Sequence, residues 1–90
     1  MDFTWDPAKN TANLEKHGID FLEAVTIFLA KVYVYRTDRY GEERYTAVGK
    51  IGIRYVSVAY TDRQVNGTSV RRIISARRAR INERKAYDEA

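Results

Sequence analysis

The spacing of hydrophobic positions changes along this chain, and the change separates helices from strands. Phe21, Ala24, Val25, Phe28 and Leu29 recur at i, i+3, i+4, i+7 and i+8, the apolar stripe of an amphipathic helix. Asp20 stands ahead of that stripe with Glu23 three residues on, a variant of the capping box, so the main helix on the sheet is expected here. An earlier helix is marked by its ends. Asp6 can cap free amides, Pro7 fits the first helical position, and Gly18 after His17 suits a left-handed stop. Residues 3–5 before it read as a short first strand.

From residue 32 the period falls towards two. Val32-Tyr33-Val34-Tyr35 is β-rich, and residues 36–41 form a polar turn. Residues 42–48 read as a strand ended by Gly49-Lys50-Ile51-Gly52. Residues 53–60 read as the next, with Arg54, Val56, Val58 and Tyr60 on one face. A loop is expected over residues 61–68, turning at Asn66-Gly67. Residues 69–76 give another strand and residues 78–87 a charged closing helix. The expected order is β-α-α-β-β-β-β-α. Short connections favour a small, mainly antiparallel sheet, and the length fits one α+β domain over residues 1–90.

Composition removes several chemistries. Without cysteine there is no thiol catalysis, disulfide or thiolate metal site, and one histidine with no spaced carboxylates makes no zinc motif. Neither a metal nor a cofactor is expected. No apolar run is long enough to span a bilayer, and the expected compartment is the cytoplasm. The net charge of +4 is unevenly spread. Residues 1–30 are acidic, whereas residues 64–90 carry seven Lys/Arg against three Asp/Glu. A basic C-terminal half points to a polyanion or an acidic partner, or to a solvated arginine-rich surface.

Three groups hold candidate chemistry. Asn13 and His17 share a face at the end of the first helix, beside Lys16. They either lock the following corner through hydrogen bonds or supply a proton-transfer group near neutral pH. In Glu42-Glu43-Arg44-Tyr45, a strand would point Glu42 and Arg44 one way, Glu43 and Tyr45 the other. That makes either a surface ion pair or a base beside a phosphate clamp. In the run from Arg71 to Arg78, strict alternation places Arg72 and Ile74 on one face and Arg71, Ile73 and Ser75 on the other. Arg77 is expected at the strand-to-helix junction. These guanidiniums either protect an exposed edge strand or oppose the charge of a phosphoryl transition state.

Trp5-Asp6-Pro7-Ala8-Lys9, Asn13, Lys16-His17-Gly18, Phe21, Ala24, Phe28, Glu42-Glu43-Arg44, Gly49, Val58, Arg72 to Arg77, Ala79, Glu83-Arg84 and Tyr87 fall in an order that resembles the BrnT toxins over nearly the whole chain. The resemblance implies a RelE-like fold and a ribonuclease that stops translation. It also implies a BrnA-like ribbon-helix-helix antitoxin as partner, with operator DNA bound only through the antitoxin complex. RelE-like enzymes cut RNA without metal through attack of the 2′-OH. On that footing Lys16, His17, Glu42, Glu43, Arg44, Arg72 and Arg77 are the expected catalytic set, with Arg71, Arg78 and Arg80 binding RNA. The alternative is a basic module that binds RNA, the ribosome or a protein without cleaving.

Overall fold

Asp6 and Gly18 set the bounds of the first helix. The Asp6 carboxylate accepts the Ala8 amide at 2.9 Å, Pro7 follows, and Gly18, at φ 71°, donates its amide to the Leu14 carbonyl at 2.8 Å. In the computed structural model, which describes residues 1–90, α1 accordingly spans Pro7–His17 after a strand β1 at Asp2–Thr4.

The second helix is shorter than its stripe promises. Asp20 caps it, accepting the Leu22 amide at 2.8 Å, but Glu23 closes no capping box, because its carboxylate receives Arg54 at 3.0 Å. Helix α2 covers only Phe21–Ala24, and a 3₁₀ segment continues over Val25–Leu29. At three residues per turn the inward positions become Phe21, Ala24 and Ile27, all buried, while Leu29 is 88% exposed. Ile27 therefore replaces Leu29 on the sheet. It reaches down onto Gly49, where a Cβ would stand 2.7 Å from that of Ile27. Gly49 does not end a strand; it sits inside one and admits the helix.

The sheet has five strands in the order β1-β5-β4-β3-β2, with β2 at Tyr33–Arg36, β3 at Tyr45–Ile51, β4 at Arg54–Val65 and β5 at Thr68–Arg78. Neighbours run antiparallel except β1 and β5, which are parallel. Several expected boundaries move. Glu42 and Arg44 precede β3 in a turn, where Glu42 bridges back to Arg39. The expected loop over residues 61–68 is mostly strand. It shrinks to Asn66-Gly67, both at positive φ (52° and 78°), as a two-residue hairpin requires. Arg78 ends β5 rather than starting a helix, Arg80 is the N-cap, and helix α3 spans Ile81–Glu89.

One irregularity sets the sheet's chemistry. Ala59 pairs with Ser75, whereas Tyr60 pairs with Ile73, so Ile74 is an extra residue on β5. The bulge resets alternation. Ile73 and Ala76, an odd number apart, both enter the core beneath α1 and α2, beside Phe21, Ala24, Ile27, Ala47, Val56, Val58 and Tyr60. Arg71 shares that face, lying over the rings of Phe28 and Tyr60. Arg72 and Arg77, which strict alternation separates, both project from the opposite face.

Asn13 closes the free edge of β5. Beyond Arg72 that strand has no β1 partner, and the buried Asn13 amide supplies one. It donates to the Ala76 carbonyl at 2.9 Å, accepts the Ala76 amide at 3.1 Å, and donates to the Ile19 carbonyl at 2.9 Å. Helix α3 covers part of the opposite face, where Tyr87 meets Tyr55 edge-on at 5.7 Å. The rest of that face is open.

Candidate functional site

Sheet register gathers the site on the open face. Directly opposed residues project together, so Arg72 stands with Thr61, and Ser75 with Ala59, Thr46 and Tyr35. The floor is polar. The Thr61 hydroxyl donates to the Glu43 carbonyl at 2.8 Å, and the Thr46 and Thr37 hydroxyls lie 3.2 Å apart. At the mouth, Arg44 donates to Glu42 at 2.7 Å, and Arg63 approaches the other Glu42 oxygen at 3.4 Å. The hydrogen bond from Arg44 holds the Glu42 carboxyl below the usual range. Glu42 and Arg44 thus pair as their alternate positions suggest, although the backbone there is a turn.

Deeper in, α3 drops a carboxylate onto the sheet. Glu83 is 4% exposed and accepts both terminal nitrogens of Arg77, at 2.7 and 3.0 Å, the Tyr35 hydroxyl and the Arg80 amide. Burial opposes its ionisation, but the bonds from Arg77, Tyr35 and Arg80 outweigh burial and bring its pKa down to about 2. Burial raises the Tyr35 hydroxyl, and the hydrogen bond to Glu83 adds to this. Arg77 is therefore the pinned member of the pair. Half-buried Arg72, five residues earlier, has no carboxylate partner, while Arg44, Arg63 and Arg77 on its face each have one.

The other expected residues lie elsewhere. Glu43 occupies the helix side, bonded to the Tyr45 hydroxyl and 3.4 Å from Arg36; with Val34, Tyr45, Tyr60 and Asp62 it lines a cavity of about 450 Å³. Arg71 is on that side too, held by a two-point bond to Asp62 at 2.8 and 3.0 Å. Lys16 and His17 end α1 and make no side-chain hydrogen bond; the corner is locked by Asn13, with Asn10, whose oxygen accepts the Phe21 amide at 2.9 Å. Arg78 and Arg80 flank the strand-to-helix connection, both exposed. Reading by residue type missed Arg63, Tyr35 and Glu83 as site members. Only Glu83 carried a signal, as the acidic residue three positions after a helix start.

The face presents an ionised carboxylate, an unpaired guanidinium and hydroxyls over a polar floor. That set suits an anionic substrate whose charge grows during reaction. No group of three or more His, Cys, Asp or Glu side chains is placed to hold a metal ion. No helix is long and apolar enough to cross a membrane.

A protein-family model described as "Ribonuclease toxin, BrnT, of type II toxin-antitoxin system" matches residues 5–83. No curated protein matches the chain.

Proposed function

The chain belongs to the BrnT family of ribonuclease toxins of type II toxin–antitoxin systems, and from that premise we propose that it cuts RNA on the open sheet face without a metal ion. The RNA 2′-oxygen attacks the adjacent phosphorus, the bond to the 5′-oxygen breaks, that oxygen takes a proton from solvent water, and the products are a 2′,3′-cyclic phosphate and a 5′-hydroxyl. Glu42 accepts the 2′-OH proton, and Arg44 holds its carboxylate in place. Because that carboxylate is a weak base, most of the acceleration falls to cations around the phosphoryl oxygens. Arg72 is the principal one. Arg77, fixed by Glu83, positions the strand and the Tyr35 hydroxyl beneath the phosphate. Lys16, His17 and Glu43 take no part in this reading.

The observation that carries it is the β5 bulge, which brings an uncommitted Arg72 onto the same face as Arg77. The fold is read as RelE-like, with residues 1–90 acting as one toxin domain in the cytoplasm. Its RNA cleavage halts translation. A BrnA-like ribbon-helix-helix antitoxin neutralises it, and the complex represses its own operon through the antitoxin's contacts with operator DNA. The test is incubation of the purified toxin with RNA in EDTA, followed by identification of fragment ends. Cleavage with cyclic-phosphate ends is expected. Loss of cleavage with chelator, restored by Mg²⁺, overturns the metal-free mechanism.

A further inference from the structure

The arginines are unequally neutralised. Arg36, Arg44, Arg54, Arg63, Arg71 and Arg77 each meet a carboxylate. Arg78 and Arg84 do not, and both line one cavity of about 240 Å³ at the end of the sheet where β4 begins and β5 stops. Ile53, Arg54, Tyr55 and Ala79 complete its wall.

Tyr55 organises this cluster. The Arg84 guanidinium lies 4.7 Å from its ring centre and the Lys50 ammonium 5.1 Å, while Tyr87 meets it edge-on. The Tyr55 hydroxyl donates to Asp88 at 2.8 Å, which fixes the ring. The ring attracts both cations without neutralising either. Arg78 approaches from the neighbouring strand, opposite Val56. Of the nearby carboxylates, Glu23 is paired with Arg54, and Asp88 accepts the Tyr55 hydroxyl without approaching Arg78 or Arg84 within ion-pair distance. Two guanidiniums without a carboxylate partner, Arg78 and Arg84, therefore line an open cavity, and the Lys50 ammonium stands over the Tyr55 ring in its wall.

We infer that this cavity is an anion subsite that grips a backbone phosphate of single-stranded RNA, at the far end of the sheet from the scissile bond. The inference rests on RNA as the ligand and deepens that reading. Arg72 and Arg78 stand opposite Thr61 and Val56, five residues apart on β4, roughly 16 Å at about 3.3 Å per residue, so the subsite engages the strand a few nucleotides from the scissile bond. The ring edges and faces of Tyr55 are occupied, so the contact is to phosphate rather than to a stacked base.

The test is anisotropy of a labelled, fully 2′-O-methylated RNA strand, which binds but has no attacking hydroxyl. Titrations of wild type, Arg78→Ala/Arg84→Ala, Arg78→Ala alone and Arg39→Ala are run over a range of salt. The double variant is expected to bind at least tenfold more weakly, with a salt slope shallower by ~0.7 for each lost contact. Arg78→Ala alone, which removes an exposed side chain with no partner, is expected to show about half that change in slope and remains informative if the double variant fails to fold. Unchanged affinity and slope, or an equal loss in Arg39→Ala, overturns the subsite. A loss confined to an A-form RNA duplex, absent with the single strand, overturns it as well. If these variants bind like wild type while wild type cleaves RNA, the subsite fails and the cleavage reading stands. Wild type that binds through Arg78 and Arg84 without cleaving RNA upholds the subsite and overturns the cleavage reading.

Discussion

Arg71 and Arg72 are neighbours on one strand, yet the two faces of the sheet treat them in opposite ways. On the helix face, Arg71 is held by both oxygens of Asp62, and its guanidinium lies 4.2 and 4.8 Å from the ring centres of Tyr60 and Phe28. On the open face, Arg72 stands opposite Thr61 and has no carboxylate partner, while the ion pair on that stretch belongs to Arg71. One face spends its charges on packing and the other keeps one in reserve. Charge in a sequence therefore says little about availability until the face is known. The same contrast recurs within the open face, where Arg77 is tied to Glu83 and Arg72 is not.

The largest test of that contrast is Arg77→Ala. It leaves Glu83 buried without its cation, which typically costs ~3–5 kcal/mol. Denaturant unfolding should register that loss, and Arg77→Lys should restore little of it, because an ammonium cannot match the two-point fork. A change below about 1 kcal/mol, the range of an exposed pair, makes Arg77 a surface charge after all. Arg72→Ala is expected to behave in the reverse manner. Single-turnover cleavage should fall about a hundred- to a thousand-fold, the effect of losing one preorganised contact worth ~3–4 kcal/mol, with the thermal midpoint nearly unmoved. Unfolding of Arg72→Ala, or a rate within about threefold of wild type, erases the distinction between the two arginines.

Acid sharpens the comparison next. The Glu83 pKa is lowered from 4.5 to about 2, so its stabilisation is fully present above pH 4.5 and is lost as pH falls towards 2. Thermal midpoints over that window should drop more steeply for wild type than for Glu83→Gln; parallel curves would show that the carboxylate is not held by its partners. The smallest effect belongs to Arg71→Ala. Its pair with Asp62 and its ring contacts together warrant a loss of only ~1 kcal/mol in stability, read from the same unfolding curves.

What the sequence disclosed depended on range. Asp6, Pro7 and Gly18 bound α1 as expected because capping is settled within a few residues. Asn66-Gly67 likewise marked its turn, though not the length of the arms, since pairing between β4 and β5 decides where each strand ends. The stripe over residues 21–29 misled because Gly49, two strands away in sequence, draws Ile27 inward and favours the tighter 3₁₀ winding. The bulge at Ile74 was invisible to strict alternation, since it exists only against a partner strand. Arg72 and Arg77 stood out as charges in a β-rich run that need a reason, but their shared face and their different partners were beyond reach. Glu83, a charge in a polar helix, gave no hint that it would be buried.

The parallel pairing of β1 with β5, joining Asp2 to Val70, Phe3 to Arg71 and Thr4 to Arg72, has a kinetic consequence. The hairpin of β4 and β5 closes over two residues and is local, whereas the strand at the start of the chain can be seated only after its partner, almost seventy residues downstream, has been made. Contacts of such sequence separation form late and slowly. During synthesis β1 must wait until β5 has followed it out of the ribosome, and Arg72, opposite Thr4, gains its lasting position only then.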